Sequence, residues 1–130
     1  MESEGDGGCQ FSHERISGEL HQVAVKLFMG ITKEWSLTEK QSCTLAGINT
    51  PDLRRWRNKP CEINLSAEQL KRLSLIAGIY KSIQLLFDDP AQWKEWIHKP
   101  NQHFEGRSAL DEMLAGRLIE IRRYLDGWCQ

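Results

Sequence analysis

The chain has 130 residues, of which 40% are hydrophobic and 27% are charged, and its formal net charge is -1. These values are ordinary for a globular domain, and they exclude a fully disordered chain and a bulk polycation. No apolar run approaches the roughly 18 residues of a membrane span, and the acidic N-terminus lacks the apolar core of a secretory signal, so we expect a cytoplasmic protein with no membrane partner.

The first predicted elements are an arm and a helix. Residues 1–17 are rich in glycine and glutamate, which is typical of a disordered or loosely attached segment. Between Glu19 and Gly30, apolar residues recur at helical spacing. Gly30 is a natural stop, so the sequence predicts a first helix that ends there.

Two short helices are predicted next. The first covers residues 39–46, with Thr38 as its N-cap. The second covers residues 50–58, with Thr50 as its cap and Pro51 at the first helical position, where the missing N–H of proline costs nothing.

The longest predicted helix covers residues 66–87 and begins with a capping box formed by Ser66 and Gln69. Its apolar residues form two stripes. One comprises Leu70, Leu73, Ala77, Tyr80, Ile83 and Phe87, and the other Leu75, Ile79, Ser82 and Leu86. A helix that is apolar on two sides packs between two partners. It is therefore either a spine that joins two helical units or a contact between copies, and we expect that the protein is not a monomer.

Shorter helices are predicted in the C-terminal third, after Asp89, after Ser108 and from Leu118 to Leu125. No segment alternates with a period of two, so the predicted fold class is all-α. The predicted organisation is an arm (1–17), an N-terminal helical domain (18–65), a central connecting helix (66–87) and a C-terminal helical domain (88–130).

The helices over 39–46 and 50–58 have the organisation of a helix-turn-helix, in which a tight glycine turn joins two short helices and the second is basic. Gly47 lies where the chain must turn with positive φ, and Cys43 supplies the small residue needed where the helices cross. Because Ile48, Leu53 and Trp56 recur at helical spacing, we expect them to pin the second helix to the core.

The residues left on the outer side of the second helix are polar or basic. Arginine can bind guanine or phosphate and asparagine can pair with adenine, so we predict contacts with double-stranded DNA. The candidates near base edges are Asn49, Thr50, Arg54 and Arg55, and those for backbone contacts are Arg57, Asn58 and Lys59. The alternatives are a solvated helix face and a helical hairpin with a structural role.

Metal binding and catalysis find little support in the sequence. Cys9, Cys43, Cys61 and Cys129 form no C-x-x-C pair, and their spacing favours reduced thiols over a zinc ribbon. His98 and His103 are five residues apart and have no cysteine or carboxylate at metal-ligand spacing, and Cys9 and His13 lie in the predicted arm. There is also no phosphate-binding glycine loop. We expect no cofactor, no metal and no enzymatic activity.

One stretch is hard to explain by composition: residues 93–116 read WKEWIHKPNQHFEGRSALDEMLAG. This stretch resembles the C-terminal toxin-binding domain of the Xre/MbcA/ParS-like antitoxin family, whose pattern runs from a tryptophan helix through Pro-Asn to a Gly-Arg-Ser-Pro-like helix start. Ala109 is a departure, because the family often has proline there. With an Xre-type helix-turn-helix included, the resemblance covers roughly residues 20–130 and is strongest over 93–125.

The resemblance implies a bacterial protein that is dimeric or larger and often binds its own promoter. Many family members neutralise a RES-type toxin that consumes NAD, and some act chiefly as transcriptional regulators. The aromatic residues of this domain are expected in its core. Contact with a toxin is instead expected from the polar residues of the last helices, or these residues form a solvated surface. The candidates are Arg117, Glu120, Arg122, Arg123, Tyr124 and Asp126.

Three functions remain in competition. The first is an Xre-type DNA-binding transcriptional regulator that acts as a homodimer or larger assembly. The alternative is a type II antitoxin that neutralises a RES-type toxin through its C-terminal domain and autoregulates its own promoter. The third is a helical adaptor with a purely structural role.

Overall fold

The computed structural model describes residues 13–59 and 62–129 and is all-α over these ranges, as predicted. The helices are α1 (His13–Glu34), α2 (Glu39–Ala46), α3 (Thr50–Asn58), α4 (Ala67–Leu86), α5 (Pro90–Glu95), α6 (Ala109–Leu114) and α7 (Leu118–Cys129). Short 3-10 turns at Trp96–His98 and Gln102–Phe104 connect α5 to α6.

Helix α1 is longer than the sequence predicts at both ends. It begins at His13, inside the predicted arm, and continues past Gly30 to Glu34; residues 1–12 of that arm lie outside the described residues. The prediction that Gly30 ends the helix is wrong, because Ile31 and Trp35 are fully buried beyond it. Burying these two side chains outweighs the roughly 1 kcal/mol that glycine costs inside a helix.

The start of α3 differs by one residue from the prediction. Asn49 is the N-cap, with its side chain accepting a hydrogen bond from the Asp52 N–H, and Thr50 is already helical. Pro51 lies in the first turn as expected, where the backbone N–H groups have no intrahelical partner. This shift of the N-cap by one residue has a local cause, since asparagine and threonine both cap helices and asparagine is the more strongly preferred.

Helix α4 is the centre of the molecule. Its capping box at Ser66 and Gln69 is confirmed, and Ile76, Ile79 and Ile83 along its length are fully buried. Helix α1 packs on one side of α4 and helix α7 on the other. Both predicted apolar stripes are therefore covered within a single chain, so α4 is a spine and its composition no longer argues for an oligomer.

Polar contacts also join the N-terminal and C-terminal helices. The Tyr80 hydroxyl donates to the Glu34 carboxylate, with both oxygens at 2.9 Å. Nε2 of His98 lies 2.7 Å from the carbonyl oxygen of Trp35. The buried side chains of α1, α2, α3, α4, α6 and α7 belong to one core cluster. No helix in the described residues is long and apolar enough to cross a membrane.

Candidate nucleic-acid and protein interfaces

The turn between α2 and α3 has the geometry that a tight helical corner requires. Gly47 is left-handed, with φ of 72°, and its N–H donates to the Cys43 carbonyl at 2.8 Å. A Cβ atom at this position would overlap the guanidinium of Arg72, which reaches over the turn from α4. Cys43 is buried, with its sulfur 3.9 Å from the Thr50 hydroxyl, which places it where the two helices meet.

The inner side of α3 is anchored by apolar side chains. Leu53 and Trp56 are buried as predicted, and Ile48 is half-buried. The Trp56 ring packs edge to face against Phe28 of α1, with ring centroids 5.9 Å apart. This anchoring sets which side of α3 faces solvent.

Three arginines lie on the outer side of α3, and each has an acidic neighbour. Arg54 and Arg57 lie 3.7 and 3.6 Å from the two carboxylate oxygens of Glu39, and Arg55 lies 3.2 Å from Asp52. All three side chains are more than half exposed. Exposed ion pairs of this kind contribute at most about 1 kcal/mol, so the arginines can exchange them for phosphate or base contacts.

The other predicted DNA-binding residues fall into two groups. Asn58 and Lys59 are exposed at the end of α3. Asn49 is exposed but its side-chain oxygen is used in the helix cap, and Thr50 is half-buried beside Cys43. Arg54, Arg55, Arg57 and Asn58 are thus exposed on α3 and Lys59 is exposed directly after it, whereas Asn49 and Thr50 are also structural.

A charged cluster in the C-terminal unit was missed by the sequence analysis. Glu112 of α6 is only 6% exposed, and its carboxylate lies 2.6 Å from Nε of Arg107 and 3.4 Å from Nη1 of Arg117. Hydrogen bonding to Glu112 raises the pKa of the Arg107 guanidinium above its usual value. In the sequence, the only sign of this cluster is the regular five-residue spacing of the three charged side chains. That the glutamate is buried between the arginines is visible only in the three-dimensional structure.

The six predicted partner-binding residues also divide into two groups. Arg117, Glu120 and Arg123 are exposed and lie along the outer side of α7 and its start. The remaining three, which are Arg122, Tyr124 and Asp126, are half-buried.

Contacts within the chain explain that burial. Arg122 lies against Gly78 of α4 and pairs with Asp126 at 3.0 Å. The Tyr124 ring stacks on Trp96 and lies 4.4 Å from His103, measured between ring centroids. These contacts give Arg122, Tyr124 and Asp126 structural roles.

An apolar cavity of about 310 Å³ opens beside the Tyr124 cluster. It is lined by Leu86, Phe87, Trp96, Tyr124 and Leu125. The indole N–H of Trp93, just outside the cavity, donates to the Phe87 carbonyl at 2.6 Å. The cavity therefore lies where the end of α4, the 3-10 turn at Trp96–His98 and α7 meet.

No group of three or more potential metal ligands occurs in the described part of the chain. His98 contacts the Trp35 carbonyl and His103 packs against Phe104 and Tyr124, so both histidines have structural contacts.

Comparison with known proteins identifies the C-terminal unit. Residues 83–128 match the family model of the antitoxin Xre/MbcA/ParS C-terminal toxin-binding domain. The uncharacterized protein y4oB of Sinorhizobium fredii is 35% identical over 116 residues, covering 86% of this chain and 84% of that protein. The crystal structure of the M. tuberculosis MbcT-MbcA toxin-antitoxin complex contains a chain with the same fold. That chain is 17% identical with a TM-score of 0.56, and the match covers 81% of this chain and 92% of the other.

Proposed function

The chain belongs to the Xre/MbcA/ParS antitoxin family, and we propose that it neutralises a RES-type toxin by binding it through its C-terminal domain. This role requires binding without catalysis or a cofactor, and we assign it to the cytoplasm. Of the functions considered from the sequence, it is the one that the comparisons support most directly.

The observation that carries this proposal is the location of the C-terminal polar surface. Arg107, Arg117, Glu120 and Arg123 are all exposed, and all lie inside the segment that matches the toxin-binding domain. The buried carboxylate of Glu112 holds Arg107 and Arg117 in place, so less side-chain entropy is lost when they meet a partner. Rigid arginines at a surface are frequent anchors of protein interfaces.

The test is to co-express the chain with a RES-type toxin, and to measure growth, NAD level and co-purification. We expect growth rescue and a stable complex with the unaltered chain. Arg123→Glu and Arg117→Glu should each weaken the complex at least about tenfold. Lys40→Glu makes the same charge change on α2, outside the matched segment, and should leave the complex intact.

Two outcomes would contradict the proposal. If the unaltered chain neither rescues growth nor co-purifies, the chain does not act as an antitoxin for that protein. If rescue occurs but the Arg123→Glu and Arg117→Glu variants both bind the toxin normally, toxin binding does not use the surface formed by α7 and its start.

We also propose a second role, in which the chain binds operator DNA through α3 as a homodimer or larger assembly and regulates its own promoter. The supporting observation is the group of exposed polar residues on α3, three of them arginines, on a helix whose opposite side is anchored by Leu53 and Trp56. A short helix presented in this way at a glycine corner can enter the major groove.

The DNA test compares Arg54→Ala with Lys59→Ala on operator and scrambled duplexes at two salt concentrations. Loss of an arginine–guanine contact should cost roughly 1–3 kcal/mol of binding free energy on operator DNA. It should therefore reduce the difference in affinity between the operator and the scrambled duplex. Loss of a lysine–phosphate contact should weaken binding to both duplexes alike. It should also lower the slope of log affinity against log salt concentration by about one. Lys94→Ala on α5 is the control. Unchanged binding by both α3 variants would exclude α3 as the recognition helix, and no binding to any duplex would favour an adaptor role.

A further inference from the structure

Glu39 of α2 contacts two of the arginines that α3 exposes. One of its carboxylate oxygens lies 3.7 Å from Nη2 of Arg54, and the other lies 3.6 Å from Nη1 of Arg57. These arginines are three residues apart, so they are neighbours on the same side of the helix. A single carboxylate therefore connects α2 to α3 and sets where two guanidinium groups lie on the exposed surface.

The start of α2 fixes the position of Glu39. Glu39 is the first residue of this helix, directly after the N-cap Thr38. The backbone N–H of Gln41 donates to the Thr38 hydroxyl at 3.0 Å, and the Thr38 N–H donates to the Gln41 side chain at 2.9 Å. Further along α2, Leu45 and Ala46 are buried in the core. The Glu39 side chain thus reaches toward α3 from a backbone that is held at both ends.

A carboxylate in this position opposes contacts with phosphate more than contacts with bases. An arginine that turns to a phosphate leaves Glu39 unpaired beside a second negative group, which costs free energy. Base edges carry no net charge and impose no such cost. The closest contact of Glu39 with each arginine is to one terminal nitrogen, and a guanidinium has five N–H donors. The remaining donors can bind the O6 and N7 acceptors of guanine.

We propose that Glu39 is a positioning residue that directs Arg54 and Arg57 toward base edges and thereby raises the sequence specificity of DNA binding. This role of Glu39 rests on the proposed binding of DNA through α3. Glu39 is not among the DNA-binding residues predicted from the sequence. Arg57 joins Arg54 as a base-reading side chain, whereas the sequence predicts only backbone contacts for it.

The test first selects bound sequences from a random duplex library with the unaltered full chain. Affinities are then measured for the selected duplex and a scrambled duplex at two salt concentrations. We expect Glu39→Gln to strengthen binding to the scrambled duplex by about fivefold, the upper limit for an exposed ion pair. Binding to the selected duplex should not become tighter, so the ratio of the two affinities should fall. On the scrambled duplex, the slope of log affinity against log salt concentration should steepen by about one for each arginine that turns to a phosphate.

A double-mutant cycle separates positioning from net charge. In a chain that carries both Arg54→Ala and Arg57→Ala, Glu39→Gln should no longer change the affinity ratio, because the side chains through which Glu39 acts are absent. Glu95→Gln is the matched control, since Glu95 lies 3.6 Å from Lys99 in an exposed ion pair on the C-terminal side of the molecule. This control should leave both affinities unchanged.

Three outcomes would overturn the proposal, and they are distinguishable. A selection that enriches no sequence would remove the DNA-binding role of α3 and the role of Glu39 with it. A selected duplex that the unaltered chain and Glu39→Gln prefer equally over the scrambled one would remove only the role of Glu39. An equal fall of the affinity ratio in the chain without Arg54 and Arg57 would show that Glu39 does not act through these arginines.

Discussion

Tyr80 provides a single-residue connection between α4 and α1 that responds to pH. Burial, reinforced by hydrogen bonding to the Glu34 carboxylate, raises the pKa of Tyr80 from 10.0 to about 12. Because the folded-state pKa is the higher one, the stabilising contribution is complete below pH 10 and is lost as the pH rises through about 12.

We therefore expect Tyr80→Phe to lower the free energy of unfolding at pH 7 by about 1 kcal/mol, the value of one partly exposed hydrogen bond. The variant should also lose less stability than the unaltered chain between pH 9 and pH 11.5. Urea unfolding across this pH range measures both effects. Equal losses in the two proteins would show that the Tyr80–Glu34 contact does not contribute to folding.

Gly47 is a residue whose backbone conformation disfavours a side chain. Its φ of 72° is unfavourable for any residue with a Cβ, and that Cβ would also displace Arg72. We expect Gly47→Ala to lower the free energy of unfolding by about 1–2 kcal/mol. Gly127→Ala is the control: it lies in α7 with open space around it, and alanine there should be neutral or stabilising by up to about 1 kcal/mol. Equal effects of the two substitutions in thermal unfolding would contradict this reasoning.

At the scale of elements, α7 combines a candidate binding surface with part of the core. Its exposed residues include Glu120 and Arg123, while Leu118, Ile121 and Leu125 are buried on the side that packs against α4. Point substitutions on its outer side are consequently the appropriate test of toxin binding, because removal of the helix would also remove a wall of the core.

We expect deletion of residues 117–130 to abolish cooperative folding. Loss of several buried aliphatic side chains, at about 1.5–3 kcal/mol each, exceeds the typical margin of stability of a domain of this size. Thermal unfolding followed by circular dichroism should show no transition, with Arg123→Ala as a control that retains one. A truncated chain that still unfolds cooperatively would show that the N-terminal helices are an independent domain.

At the scale of the whole molecule, the N-terminal and C-terminal units share α4 and are joined directly by the Trp35–His98 contact. The Glu34–Tyr80 contact connects α1 to the shared helix. The buried residues of α3 and of α7 belong to one core cluster. No separate core is left for the helix-turn-helix or for the C-terminal unit in the described residues, so the two should unfold together.

We therefore expect Leu53→Ala in α3 and Ile121→Ala in α7 to behave alike. Each should lower the free energy of unfolding by about 2–5 kcal/mol. Each should also shift a single transition that tryptophan fluorescence and circular dichroism report at the same temperature. Two separated transitions in either variant would contradict a shared core.

The sequence by itself determined the features that depend on residues within a few positions of one another. The caps at Thr38, Ser66 and Ser108 and the left-handed turn at Gly47 were predictable, because a cap or a turn is decided by local backbone and side-chain chemistry. The family was also recognisable from the pattern over residues 93–116.

Only the tertiary structure decided which apolar surfaces are covered. The continuation of α1 past Gly30, the covering of both stripes of α4, and the burial of Glu112 between Arg107 and Arg117 all depend on contacts between elements. Helical periodicity shows that a face is apolar but not which partner covers it. In α1 the periodic residues Leu20, Val23 and Leu27 remain exposed while Val25, Phe28 and Ile31 are buried, because burial is set by the position of α4 and α3 in space.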